Sequence, residues 1–345
     1  MHRATALSKE IPFFYFGIIL VLASGAMYFC SMILFVVYWL SGLVPVAEWS
    51  RTILAYSLWP GAAGMLLIAV DLGLMLPAKR RIVRRIEAPL ETNYQATVAL
   101  TAFNDQESIE QAVADFIRHP RVRRVIVVDN NSTDETAFRA RRAGATVIRE
   151  IEPGYGSCVF RSLTEASRYT DTSLVVLCEG DCTFRAADLE KLFAFAPHAD
   201  IVNGTRIVEQ LRATKTQLST FMYYGNFFVG KLLEVKHLGR GTFTDVGATY
   251  KAIHRDALIE LLPHLDPRVN LEFNAHFMDA ALSNGFLMVE CPITFHPRVG
   301  TSKGGNLNNW RALKTGIAMI LGLTFGWRWV RSGARRRSLA AGASA

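Results

Sequence analysis

The stretch RVIVVDNNSTDETAFRARRAG, Arg124–Gly144, reads as one complete structural unit. RVIVVDN is a short, nearly continuous apolar run rich in valine, which predicts a strand buried on both faces. It stops at Asp129. Small polar residues follow, and Ser132 or Thr133 is available to cap a helix with Asp134 and Glu135 in its first turn, where acids suit the helix dipole. DETAFRARRAG is that helix, and Gly144 ends it.

The same unit repeats on either side. TVALTAF (97–103), TVIRE (146–150) and SLVVLCEGD (173–181) read as strands. ESIEQAVADFIRHP (107–120) and GSCVFRSLTEASRYT (156–170) read as helices. Apolar strands alternating with helices predict a mostly parallel α/β sheet covered on both faces. Ligands of such sheets bind beyond the carboxyl ends of the strands. ADIVNGTR (199–206) reads as a further strand. The aromatic-rich stretch from Gln217 to Leu238 reads as a helix, either part of the core or resting on a membrane.

Three strand ends carry acids: Asp105 after the first, Asp129 after the second, and Glu179 with Asp181 in CEGDCTF (178–184). Two carboxylates separated by one residue can approach a hard divalent cation, Mg²⁺ or Mn²⁺, which prefers oxygen ligands. A lone pair of this kind is usually a surface turn. Its company at the other strand ends favours a metal site that neutralises a diphosphate. A carboxylate in that crevice can also accept a hydrogen bond from a base N–H or a ribose hydroxyl.

The rest of the chain concerns a membrane. Half of the 345 residues are apolar, yet the net charge is +8. Residues 12–40 carry no charged side chain and exceed the ~20 residues needed to cross a bilayer. Residues 52–76 form a second apolar run, with Asp71 near its end and the turn LVPVAEWSR between the two. This predicts a hairpin of two spans within a segment 1–90. Asp71 would pair with the basic knot Lys79–Arg85. Arg3, Lys9 and that knot flank the hairpin, so the positive-inside rule places both ends, and the domain at 91–310, in the cytoplasm. GIAMILGLTFGWRWV (316–330), followed by Arg331 and Arg335–Arg337, predicts an interfacial helix and basic tail in 311–345. Basic clusters beside apolar segments favour anionic lipid as partner and argue against nucleic acid. Five cysteines without a repeated spacing suggest free thiols and a reducing compartment.

Taken together, these segments resemble family-two glycosyltransferases. VALTAFNDQESI (98–109) is similar to their V-x-I-P-A-Y-N-E-E opening, and VIVVDNNSTDET (125–136) to V-V-D-D-G-S-T-D-x-T. LCEGDCTF stands in place of D-x-D. NGTR (203–206) and DVGATYKAI (245–253) follow in the family's order. VECPITFHPRVGTSKGG (289–305) resembles the E-V-P-I-x-Y-x-x-R-x-G-x-S-K ending of the polyprenyl-phosphate branch, which includes dolichol-phosphate mannose synthase. The resemblance covers roughly 95–310. Thr101 replaces a proline, Asn130 the second acid of D-D, and Glu179 the first Asp of D-x-D. The Q-x-x-R-W motif of processive polymerases is absent, since NNWRA (308–312) lacks the glutamine.

The resemblance implies an inverting GT-A transferase of the cell envelope. The donor nucleoside would lie against Ala102, Phe103, Asp105 and Asp129, and the diphosphate and metal at Glu179 and Asp181. Gly154 and Gly156, in EPGYGSC, would admit the nucleotide. A lipid-phosphate acceptor is already ionised and needs only cations: Arg298, Lys303 and Arg206. Asp181, Arg298 and Lys303 would then carry the reaction. A sugar hydroxyl on a lipid-linked saccharide would need a base instead, with Glu272 the candidate and Asp245 a weaker one. A third reading is a silent scaffold that keeps the fold. His276 is expected to be structural. The sequence leaves open the sugar, the nucleotide, the lipid length and whether copies of the chain assemble.

Overall fold

The computed structural model describes residues 12–75, 93–213, 216–300 and 309–330. The basic knot at 79–85, Lys303 and the basic tail lie outside the described residues. The chain divides into two compact units, an N-terminal helical hairpin and a larger α/β body.

The hairpin consists of α1, Phe13–Ser41, and α2, Val44–Val70, which runs into a π-helical turn, Asp71–Met75. Both helices are long and apolar enough to cross a membrane. The expected turn LVPVAEWSR is mostly helix. Gly42, in the left-handed conformation, ends α1 by donating its N–H to Tyr38 O, and α2 restarts at Val44 with Pro45 in its first turn. Proline is tolerated there because its missing N–H would have no helical partner.

Small residues line the seam. Ser31 Oγ donates to Ser50 O at 2.8 Å, Ser50 Oγ to Ser31 O at 2.9 Å, and Ser24 Oγ to Ser57 O at 2.6 Å. A Cβ on Gly17 would stand 2.7 Å from Gly64 O, and one on Gly64 2.6 Å from Gly17 O. Asp71 is wholly buried, and its Oδ2 accepts the Phe14 N–H at 2.6 Å. An acid at the end of α2 thus serves an amide at the start of α1 that lacks a partner within its own helix.

The body is a seven-stranded sheet in the order β3-β2-β1-β4-β6-β5-β7. The strands are β1 Ala96–Ala102, β2 Val122–Asp129, β3 Thr146–Arg149, β4 Leu174–Glu179, β5 Ile201–Thr205, β6 Lys251–His254 and β7 Met288–Pro292. β1 is buried throughout, as its unbroken apolar run requires. β1 pairs in parallel with β2 and β4; β6 runs antiparallel to both β4 and β5. Register sets Ala102 against Asp129 and Thr101 against Glu179, so three strands end level. The covering helices include α3 Ile109–Ile117, α4 Thr136–Arg142, α5 Tyr155–Ser167 and α6 Leu189–Phe195.

After β5 come α7 Thr220–Lys236, α8 Arg255–Leu261, α9 Phe273–Ser283 and α10 Asn309–Phe325. α7 buries Val229, Leu232 and Leu233 but exposes Phe221, Tyr224 and Phe228. The aromatics that could have been core are therefore largely outside it. α10 likewise exposes Trp310, Ile317, Leu321 and Phe325.

Candidate active site

The level ends of β1, β2 and β4 carry the site. Beyond β1 the backbone turns at Asn104, whose N–H donates to Ser132 Oγ at 2.8 Å and whose Oδ1 accepts the Thr133 N–H at 2.7 Å. This binds the loops after β1 and β2 together. It also corrects the capping expectation: Ser132 and Thr133 are spent on the neighbouring loop. Asp134 Oδ1 instead accepts Thr136 N–H at 3.0 Å.

Asp129 is nearly buried, and its Oδ1 has no hydrogen bond among the described residues. A buried carboxylate oxygen without a donor is costly and is suited to a ligand donor group. Its neighbour Asn130 is fully used. Nδ2 donates to Glu152 O at 2.7 Å and Glu150 O at 3.3 Å, while Oδ1 accepts the Gly154 N–H at 2.9 Å. An aspartate could not donate those bonds, so the departure from D-D has a structural cause.

At the end of β4, Asp181 is 2% exposed. Its Oδ1 accepts Thr183 N at 3.0 Å and Thr183 Oγ1 at 2.6 Å. Oδ2 faces Arg298 Nη1 at 3.2 Å, and Arg298 Nη2 donates to Asp105 Oδ1 at 2.8 Å. The segment 296–299 reaches the acids through His296 N–H to Thr183 O at 2.9 Å and Val299 N–H to Asp181 O at 3.1 Å. Glu179 Oε1 accepts Thr249 Oγ1 at 2.7 Å. Burial, then the Asp181 charge, pushes the Glu179 carboxyl above its usual range. Burial works against the Arg298 charge, but Asp181, Asp105 and Glu179 outweigh it and hold its pKa up.

Most of the expected residues line one cavity of about 1610 Å³; Asp129 is not on its wall, where its neighbours Asn130 and Asn131 stand instead. Ala102, Phe103, Asp105, Gly154, Glu179 and Asp181 meet there, with Arg206, Glu272 and Arg298. Gly156 has another role, because a Cβ on it would stand 1.8 Å from Val269 O. The protein's own backbone, rather than a ligand, fills the space beside it.

Asp245 is a poor base. It is wholly buried, and its oxygens meet Arg206 Nε at 2.7 Å and Nη2 at 2.8 Å. Burial alone would raise its pKa, but Arg206 overcomes this and holds it low. Glu272 occupies the N-cap position of α9. His276 Nε2 accepts the Asp266 N–H at 2.9 Å, a structural bond. Sequence reading missed Tyr155, Thr249 and Asn274, which stand behind Glu179; nothing in their spacing pairs them.

The donor set fits a hard cation in one way. Among the described residues no group of three or more His, Cys, Asp or Glu could hold a metal. For such a cation Glu179 and Asp181 would supply two carboxylates, and phosphate and water would have to complete its shell.

The mostly parallel sheet with acids at three level strand ends has the architecture of a GT-A-type α/β fold. Residues 97–262 match Glycosyl transferase family 2. An uncharacterized glycosyltransferase of Mycobacterium tuberculosis is 32% identical over 205 residues, covering 59% of this chain and 86% of that protein. A dolichyl-phosphate hexose transferase of Haloferax volcanii is 27% identical over 207 residues, covering 60% and 85%. The crystal structure of glucosyl-3-phosphoglycerate synthase from M. tuberculosis, in complex with Mn²⁺, UDP and phosphoglyceric acid, is 19% identical with a TM-score of 0.50, covering 67% of this chain and 78% of that one. That likeness concerns the fold. The chain belongs to glycosyl transferase family 2 and is a glycosyltransferase.

Proposed function

We propose that this enzyme moves a sugar from a nucleotide-diphosphate sugar to a lipid phosphate at the cytoplasmic face of a membrane, with a divalent cation at Glu179 and Asp181. One observation carries the reading: the cavity has two kinds of wall. The strand ends and the loops that follow them supply Asp105, Glu179, Asp181 and Arg298. α7 and α10 supply Phe221, Phe228, Ile317, Leu321 and Phe325. A charged wall facing an apolar one suits a substrate with a phosphate head and a hydrocarbon tail. The two apolar helices of the hairpin and the dolichyl-phosphate relative support the same class of acceptor.

Each side chain then has a task. The nucleoside lies against Ala102, Phe103 and Asp105 on the cavity wall. Glu179 and Asp181 hold the cation, which when bound supplies the charge that lets the diphosphate leave. Arg298, with Lys303 as its proposed partner, holds the acceptor phosphate. That phosphate needs no deprotonation, so the protein's contribution is to hold its oxygen in line with the anomeric carbon and to stabilise developing charge.

The test is to incubate the purified chain with polyprenyl phosphate, Mn²⁺ and labelled uridine- or guanosine-diphosphate sugars, and to chromatograph the lipid. A labelled, metal-dependent glycosyl-phospholipid is expected. Transfer only to hydroxyls of a lipid-linked saccharide, abolished by Glu272→Gln, would replace this reading with base catalysis.

A further inference from the structure

Behind Glu179 lies a chain of buried hydrogen bonds that runs in one direction. Lys251 is wholly buried, and its ammonium group donates to Asn274 Oδ1 at 3.3 Å and to Ala248 O. A carbonyl oxygen only accepts, so the bond from Asn274 Nδ2 to Gly247 O at 3.2 Å fixes the amide with its nitrogen away from Lys251 and its oxygen toward it. Asn274 Nδ2 donates to Tyr155 OH at 2.9 Å. Tyr155 OH lies 2.5 Å from Thr249 Oγ1, and Thr249 Oγ1 donates to Glu179 Oε1 at 2.7 Å. A hydroxyl has one proton. Thr249 gives its proton to Glu179, so the Tyr155–Thr249 bond must be donated by Tyr155. Each donor therefore points toward the carboxylate.

The topology brings these groups together. β6 is antiparallel to β4, with Lys251 opposite Leu177, so the backbone two residues before Lys251 comes level with Glu179. Tyr155 is the first residue of α5, directly after the Gly154 turn, and Asn274 stands in the first turn of α9. Three parts of the chain, α5, α9 and the stretch leading into β6, thus join in one network that reaches a single carboxylate oxygen through Thr249. Such convergence is more than packing requires, and it matches the replacement of aspartate by the longer glutamate at 179.

We propose that Tyr155, Thr249 and Asn274 are positioning residues: Tyr155 and Asn274 hold Thr249, which engages Glu179 Oε1 and so leaves Oε2 directed at the divalent cation. This deepens the metal reading of Glu179 and Asp181 and rests on it. A pre-oriented ligand loses less rotamer freedom when the ion binds. Tyr155 also sits beside the Gly154 turn that lines the donor cavity, so the orientation of the metal ligand is tied to the loop that meets the donor.

The experiment measures Mn²⁺ binding by the loss of the free-ion electron paramagnetic resonance signal, with UDP present, in wild type, Thr249→Val, Thr249→Ser and Tyr155→Phe. UDP binding without metal is measured in parallel. Thr249→Val and Tyr155→Phe are expected to weaken Mn²⁺ binding about tenfold, with Thr249→Ser within twofold of wild type and metal-free UDP binding unchanged. Wild-type Mn²⁺ affinity in both Val and Phe variants overturns the relay. Equal losses in the Ser and Val variants, or a loss of metal-free UDP binding alongside, reduce it to ordinary packing and overturn it too. Should Thr249→Val fail to fold, Tyr155→Phe, which removes one oxygen and keeps the ring, decides alone. A wild type that binds no Mn²⁺ overturns the metal reading itself, a result distinct from relay failure.

Discussion

Arg298 Nη1 stands 3.2 Å from Asp181 Oδ2, against one of the two carboxylates assigned to the cation. The same guanidinium reaches Asp105, so one arginine neutralises acids from two strand ends. It occupies ground that a divalent ion would share. Removing it exposes both acids to competing cations. Arg298→Ala is expected to strengthen Mn²⁺ binding in the absence of nucleotide about tenfold, a change of about 1.4 kcal/mol, and to lower sugar transfer about a hundredfold. Calorimetric titration checks the first, and weaker Mn²⁺ binding would show that Arg298 does not compete.

The Glu179 proton gives a pH signature. Burial and Asp181 push this carboxyl up to about 7. A cation must displace the proton, so Mn²⁺ affinity should climb from pH 6 to pH 8 and flatten above. Linkage gives the opposite trend for the metal-free fold. The folded state binds the proton more tightly than the unfolded chain, so this stabilising contribution is complete below the unfolded value and is lost as pH rises through the folded one. Wild type should lose about 1–3 kcal/mol relative to Glu179→Gln across that window. Denaturant melts of both proteins at several pH values test it.

Asn130→Asp restores the second acid of the family-two pattern that this segment resembles, yet it should harm this protein. Two donated bonds, to Glu150 O and Glu152 O, become repulsions between oxygens. A cost of about 1–3 kcal/mol is expected, with a raised KM for the donor because Gly154 is held by the same side chain. An unchanged melting temperature would refute it.

Gly156→Ala tests the packing at the head of α5. The new methyl carbon would meet Val269 O at 1.8 Å, and a carbonyl cannot yield as a side-chain tip does. The segment 267–270 must move, at an expected cost of about 1–3 kcal/mol. Asn270 Oδ1 accepts the Tyr155 N–H, so donor affinity should fall with it. Thermal melts and UDP titration check both.

Much of this architecture was legible in the residues. β1, β2 and β4 announced themselves because burial on both faces demands an unbroken apolar run. The acids at their ends stood out because charge stops such a run abruptly. The direction of β6 was hidden, since four residues look alike whichever way they run. The bond from Thr249 to Glu179 was hidden for the same reason, because it exists only through that register. The hairpin turn was read too long: most of LVPVAEWSR is helix, since Pro45 sits in the first turn of α2, where proline is tolerated.

The seam of α1 and α2 divides the hairpin's surface into two regimes of sequence drift. Gly17, Gly64, Ser31 and Ser50 sit where the two backbones nearly touch, and added volume there would wedge the arms apart. Leu22, Phe29, Leu58 and Leu66 point outward and need only remain greasy. Random mutagenesis of this segment should therefore scatter freely among outward hydrophobes while leaving a narrow strip of tiny residues untouched.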